Sequence, residues 1–279
     1  MDDIHYREYK ILLRPERFFA PGQFEVFWKK VCAAAERNGV SVETAKSAFH
    51  REVREVLFYD TDGADLYRNA FILRKRIFYV DGWPDAKHEL TLKFRHPDLA
   101  AAAAVDVTPH IAVDADIKFK EEILPLKASV GGLRRLFSHN CVLSTPQLEI
   151  DQGLAHIASV FPCLDALAKP SNGAPLRLVN ALPVEEIMVE PGRLDFGHKL
   201  EAKATIALWR NRGTETSLIG EFAFQAKFEA YDEISAKAKA RSEAFFMDLQ
   251  REAPEWVALG TTKTAVVYQF GGRPECGRE

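Results

Sequence analysis

His88-Glu89-Leu90-Thr91-Leu92-Lys93-Phe94-Arg95 carries the cleanest alternation in the chain. Side chains on a strand point to opposite faces in turn, so Glu89, Thr91, Lys93 and Arg95 share one side and Leu90, Leu92 and Phe94 the other. Just upstream, residues 71–80 contain Leu73-Arg74-Lys75-Arg76 and read as a second strand. The turn residues Trp83-Pro84-Asp85 between them complete a hairpin pattern. A hairpin with one apolar and one charged face belongs to an antiparallel sheet, and the rest of the chain repeats the theme.

Residues 5–13 alternate Tyr6, Glu8 and Lys10 against Arg7, Tyr9, Ile11 and Leu13. Further strands are expected at 52–61, 117–123, 177–190, 194–211 and 217–229, with Pro191-Gly192 splitting two of them and a short one at 147–151. Apolar residues at helical spacing (Phe24, Phe27, Trp28, Val31, Ala35) predict a helix up to Asn38-Gly39, where Gly39 can end it. Short helices are expected at 132–138 and 155–168, and a long one at 232–252 that stops near Pro254. Ala100–Ala104 reads as a connecting segment, and the tail around 260–268 as a last strand. About eight strands and four helices, with hairpins outnumbering β-helix-β units, predict an α+β fold in one domain.

Composition narrows the function classes. The 279 residues hold 37 Lys+Arg and 40 Asp+Glu, a formal charge of −3. That balance offers no global attraction to nucleic acid, so an anion site must be built locally. No apolar run reaches the ~20 residues of a membrane helix. The acidic start Met1-Asp2-Asp3 is unlike a signal peptide, which makes the cytoplasm the expected location. Cys32, Cys141, Cys163 and Cys276 form no CxxC pair and read as free thiols. The chain has no GxxxxGK[ST] loop, GxGxxG turn, HExxH pair or GxSxG elbow.

Charge is segregated by face. The polar faces of the strands collect Lys10, Arg74, Arg76, Lys93, Arg95, Lys118, Lys120, Lys199, Lys203 and Lys227 against Glu8, Glu89, Glu122, Glu201 and Glu221. Ten cations against five carboxylates leave a surplus of five in a chain whose total is −3. Two readings fit: the solvated face of an open sheet, or the lining of a closed tunnel whose apolar outside is covered by helices. In a tunnel, so many cations repel one another unless a polyanion or carboxylates neutralise them. A triphosphate supplies that charge in a line, and arginine pairs with phosphate oxygens through two N–H groups.

These residues resemble the CYTH-like family of triphosphate tunnel metalloenzymes. The family opens on Glu-x-Glu-x-Lys, where this chain has Tyr6-Arg7-Glu8-Tyr9-Lys10. Its Tyr-x-Asp-Thr and Leu-Arg-x-Arg signatures are similar to Phe58-Tyr59-Asp60-Thr61 and Leu73-Arg74-Lys75-Arg76. Thr91-Leu92-Lys93, Leu208-Trp209-Arg210 and Ile219-Gly220-Glu221-Phe222 look like later strands, so the resemblance spans about residues 4–230 of a single domain, with a C-terminal helix and tail over 232–279.

The resemblance implies an eight-stranded antiparallel β-barrel with helices packed outside, acting on triphosphate groups with Mg²⁺ or Mn²⁺. It implies Glu8, Glu221 and Glu201 as metal ligands. Lys10, Arg74, Arg76, Lys93, Lys118, Lys120 and Lys203 would bind phosphate, with Lys10 also catalytic. Two positions depart from the pattern: Tyr6 replaces the first glutamate, and Ala223 stands where a second late carboxylate often sits. The implied function is metal-dependent hydrolysis of a small triphosphate-containing compound. The alternative, motivated by Tyr6 and Ala223, is a non-catalytic protein that binds polyphosphate or nucleotide. Neither reading calls for duplex nucleic acid or a membrane as partner. A lipid-binding barrel would need an apolar lumen instead.

Overall fold

The computed structural model describes residues 4–111, 114–146, 148–169, 173–230 and 233–272. Its strands are β1 (Tyr6–Leu13), β2 (Ser41–Thr44), β3 (Glu52–Asp60), β4 (Phe71–Val80), β5 (Trp83–His96), β6 (Ala115–Leu124), β7 (Arg134–Ser144), β8 (Arg177–Leu178), β9 (Val184–Asp195), β10 (Glu201–Asn211) and β11 (Ser217–Lys227). The helices are α1 (Gln23–Arg37), α2 (Asp65–Arg68), α3 (Leu99–Ala103), α4 (Leu154–Val160), α5 (Asp165–Ala168), α6 (Ala236–Glu252) and α7 (Lys263–Tyr268).

The sheet closes on itself. Its order runs β9-β10-β11-β1-β6-β7-β5-β4-β3, and β3 pairs back onto β9, with β2 and β8 as short additions on β9 and β3. The ring therefore has nine strands, not the eight expected, and it is mixed. Strands that alternate direction cannot close a ring of odd number, so one neighbouring pair must run parallel. That pair is β1–β6, with Tyr6 opposite Lys120 and Glu8 opposite Glu122.

Both ends of the apolar alternation are buried outside the ring. On one side α1 and α6 cover β1, β9, β10 and β11, where Phe27, Trp28, Phe222, Phe224, Phe245 and Phe246 share a core. On the other, α4 and its flanking turns cover β4, β5 and β7 through Leu73, Leu90, Leu92, Leu154 and Phe161. Arg7 lies on this outer face of β1 yet is only 2% exposed. It is held by Glu121 at 2.8 Å, by Glu243 of α6 at 2.5 Å and by the Tyr9 hydroxyl at 2.9 Å.

Several local expectations change. Residues 132–138 are not helical: β7 occupies Arg134–Ser144 because β6 and β5 pair with it on either side. Pro191-Gly192 does not split two strands but lies inside β9. There β2 approaches so closely that a Cβ on Gly192 would sit 2.0 Å from the Glu43 carbonyl oxygen. Lys199 lies in the turn between β9 and β10, off the strand face. Ala100–Ala104 is largely helical, as α3, whose N-cap Asp98 accepts the Ala101 N–H at 2.7 Å. Of the strand expected at 147–151, Gln147 lies outside the described residues, and Ile150–Gln152 is a short 3-10 turn. Cys276 also lies outside them, while Cys32, Cys141 and Cys163 are free thiols. No helix among the described residues is long and apolar enough to cross a membrane.

The tail forms a helix, not a strand, and plugs one end of the barrel. Thr262 caps α7 by accepting the Ala265 N–H at 3.0 Å. Val267 and Tyr268 then pack among the inward-facing Leu12, Phe58, Ile72 and Trp209. Two contacts latch this plug. Asn180 donates to the carbonyls of Val267 and Tyr268 at 2.7 and 2.9 Å. The Tyr268 hydroxyl donates to Asp60 Oδ2 at 2.8 Å. Asp60 is 2% exposed and also accepts the backbone N–H groups of Thr61, Leu66 and Tyr67, so it ties β3, α2 and α7 together. Removing one partner from a buried charged group costs about 1–3 kcal/mol. Tyr268→Phe is thus expected to lower unfolding stability in urea by roughly that amount, and an unchanged midpoint would remove this hydroxyl from the latch.

Candidate functional site

Most of the charged side chains that alternation placed on one strand face turn inward. They enclose a cavity of about 290 Å³, lined among the described residues by eight lysines and arginines and four glutamates. The cations are Lys10 of β1, Arg74 and Arg76 of β4, Lys93 and Arg95 of β5, Lys118 and Lys120 of β6, and Lys263 of α7. The open-sheet reading is thereby excluded, and an apolar lumen with it.

Two ionic clusters organise the cavity. The first surrounds Glu122, which has no solvent exposure. Lys93 Nζ lies 2.5 Å, Arg95 Nη2 3.1 Å and Lys10 Nζ 3.4 Å from its carboxylate oxygens, and Ser138 Oγ donates at 2.7 Å. Next to it on the parallel seam, Glu8 meets Lys10 at 3.0 Å and Lys120 at 3.5 Å. Lys120 also donates to Gln225 at 2.6 Å. The second cluster surrounds Glu186 of β9. Trp209 Nε1 donates to it at 2.8 Å, Lys263 Nζ lies at 3.3 Å, and Arg54 and Arg76 each at 3.8 Å. Lys263 continues to Glu221 at 2.7 Å and lies 4.5 Å from the centre of the Trp209 ring.

Arg74 stands apart. Among the described residues it has no carboxylate partner, and its one hydrogen bond runs from Nη2 to Thr91 Oγ1 at 3.3 Å. Its Nε is buried without a hydrogen-bond partner. Burial, then the adjacent Arg76, pushes its pKa down to about 9 against the attraction of Glu186 and Glu89, so it remains charged at neutral pH. Burial also acts first on the other ions. It opposes the charge on Lys10, yet Glu122, Glu8 and Glu221 outweigh it and raise that ammonium above the ordinary lysine value. Burial and Arg95 push Lys93 well below that value against the pull of Glu122. Burial lowers Lys120 as well, with Glu8 opposing. For Glu8 burial is again the largest influence and raises the pKa, but Lys10 and Lys120 prevail and hold it at about 2.

The expected site residues separate into two groups. Lys10, Arg74, Arg76, Lys93, Lys118, Lys120, Glu8 and Glu221 come together in the cavity. Lys203 and Glu201 do not. Both share the parity of Trp209 on β10 but lie toward its far end, half-exposed, where Lys203 pairs with Glu190 and Glu201 with Arg193. Alternation alone cannot show how far along a strand the enclosed part extends. Arg95 and Glu122 carried a signal in their strand parity, although no motif pointed to them. Glu186, Trp209 and Lys263 were missed as site residues. The cap Thr262, one residue before α7, was the only local hint at the helix that delivers Lys263.

Mg²⁺ and Mn²⁺ take oxygen ligands, and no group of three His, Cys, Asp or Glu residues gathers among the described ones. Glu8 and Glu221 are each taken by lysines. The Tyr6 ring lies 6.0, 5.3 and 5.7 Å from the ammonium groups of Lys118, Lys120 and Lys227.

No family model matches the chain, and no curated protein does. Solved structures align over nearly its whole length. A Hippeastrum protein, proposed as an adenylyl cyclase and showing a dominant triphosphatase activity, covers 98% of this chain and 99% of its own at 14% identity and a TM-score of 0.43. A proposed adenylate cyclase from Bacillus halodurans covers 94% and 97% at 13% identity, with a TM-score of 0.39. A Pyrococcus horikoshii protein covers 93% and 96% at 12% identity, with a TM-score of 0.37.

The depressed Glu8 pKa sets an acid dependence. A carboxyl held at about 2 when folded, against the ordinary 4.5, stabilises the fold fully above pH 4.5 and loses that contribution as pH falls toward 2. Urea midpoints are therefore expected to drop across that window, and Glu8→Gln is expected to flatten the drop. Superimposable acid profiles for the two proteins would contradict the pairing of Glu8 with Lys10 and Lys120.

Proposed function

We propose that the chamber binds the polyphosphate chain of a small triphosphate-containing compound. Arg74 is the observation that carries this reading: a guanidinium facing the cavity, with a buried Nε and, among the described residues, no carboxylate within ion-pair distance. Buried charges are costly unless paired. Glu186 and Glu89 attract Arg74 without reaching ion-pair distance, so a phosphate group in the chamber would be its one direct anionic contact. Eight lining cations against four carboxylates leave a surplus of four, which suits a multiply charged anion better than a single carboxylate or sulfate. With α7 packed among the inward-facing residues at one end, the phosphate chain would enter from the other and leave its organic group nearer that mouth.

Hydrolysis of the terminal anhydride is the second reading, favoured by the cations on several walls of the chamber. Charge that develops on phosphate oxygens as the bridging P–O bond breaks would meet Lys10, Arg74 and Lys93 already in place. Water supplies the oxygen that bonds to the terminal phosphorus as the bridging P–O bond breaks; one of its protons stays on the new orthophosphate, the other passes to a phosphate oxygen of the shortened chain, and both products leave. Lys10 serves here as a fixed positive charge. Its carboxylate neighbours keep it protonated, so it is not the base that takes the water proton.

Calorimetry with inorganic tripolyphosphate tests the first reading, and phosphate release from tripolyphosphate, thiamine triphosphate and nucleoside triphosphates tests the second. Arg74→Ala is expected to weaken binding by roughly 1–3 kcal/mol, the scale of charge-assisted hydrogen bonds, while Lys203→Ala leaves it unchanged. Absence of tripolyphosphate binding to the unmodified protein would sink the proposal. Binding without phosphate release would retain the first reading and discard the second.

A further inference from the structure

Resting on that reading of the chamber, we propose that Lys10 takes the place of a divalent cation, so that the protein holds its polyphosphate without metal. The carboxylates that could serve a metal already converge on ammonium groups. Lys10 Nζ bridges Glu8 at 3.0 Å and Glu122 at 3.4 Å, and Lys263 Nζ holds Glu221 at 2.7 Å. An Mg²⁺ bonded to the same Glu8 oxygen at its usual length of about 2.0–2.1 Å would stand within about 5 Å of the Lys10 charge. Two positive centres that close, in a chamber largely removed from water, repel strongly.

The sequence departures act in the same direction. Tyr6 and Ala223 remove two oxygen-ligand positions, and Tyr6 puts in their place a ring that lies among three lysines. What remains is a set of fixed cations whose charges are partly neutralised by internal carboxylates. A metal ion normally bridges phosphate oxygens and offsets their charge. Here Arg74, Arg76, Lys93 and Lys120 face the same space and can do both as ammonium and guanidinium groups. A free divalent ion would then compete with the protein for the polyphosphate.

The test has three arms. Electron paramagnetic resonance of Mn²⁺ titrated into the unmodified protein without phosphate is expected to show only the free-ion signal, and stoichiometric bound Mn²⁺ would overturn the proposal. Tripolyphosphate titrated in EDTA is expected to bind as tightly as in Mn²⁺ or more so, and affinity at least fivefold weaker in EDTA would overturn it as well. Lys10→Met, with its fold verified by circular dichroism, is expected to gain a bound Mn²⁺ in the space between Glu8 and Glu122, which then keep, among the described residues, only Lys120 and, respectively, Lys93 and Arg95 as cationic partners. A folded variant with no such ion would show that Lys10 does not occupy the cation position. If that variant fails to fold, the two arms on the unmodified protein decide. If tripolyphosphate binds in neither condition, the function proposed above fails, and the Mn²⁺ titration alone still decides this inference.

Discussion

Glu122 sits inside the barrel with no access to solvent, shared between Lys93, Arg95, Lys10 and Ser138. A carboxylate in that position cannot stay ionised alone, and three lysine and arginine groups that close cannot stay charged without it. Each therefore requires the others. The parallel seam depends on the same interaction, because it brings Glu122 beside Glu8 and lets Lys10 reach both. Removing Glu122 would leave Lys93, Arg95 and Lys10 short of the buried counter-ion they share, so the polar lining constrains the barrel's geometry alongside the apolar cores outside it.

The cores do a different job. The aromatic layer under α1 and α6 and the aliphatic layer under α4 exclude water from the outer faces and force the charged faces inward. Closure of the ring then brings together cations that an open sheet would have left in water. At one end α7 adds apolar bulk through Val267 and Tyr268 and a further cation through Lys263. The result is a basic chamber in which most ions pair with one another, while Arg74 has no carboxylate within ion-pair distance among the described residues. Arg7 shows what the outer face demands of a charge: where it is covered by α6, it is matched at once by Glu121 and Glu243.

Much of this architecture was legible in the chain. Period-two alternation in residues 5–13 and 88–95 assigned Glu8, Lys10, Lys93 and Arg95 to one face, and the structure keeps them there. The apolar spacing of Phe24, Phe27, Trp28 and Val31 identified α1 and its covered side. Errors fell where local pattern is short or ambiguous. Residues 132–138 have no long alternation of their own, and β7 exists because its two neighbours pair with it. The six residues of α7 are too few for periodicity to register, so the plug and Lys263 stayed hidden. Lys203 and Glu201 had the correct parity, but parity carries no information about where along a strand the enclosure ends.

From the sequence alone follow the α+β class, the antiparallel hairpins, the segregation of charge by face and the absence of any P-loop or zinc signature. These depend on the order of neighbours along the chain, which is local information. The ring of nine strands, its parallel seam, the plug and the partner of each buried ion depend on residues far apart in sequence. Glu122 and Lys93, Lys263 and Glu186, and Asp60 and Tyr268 meet only when the sheet closes. Whether a lysine is a free ligand for phosphate or the counter-ion of a glutamate is settled by that closure, since distance and burial determine the strength of every charge in the chamber.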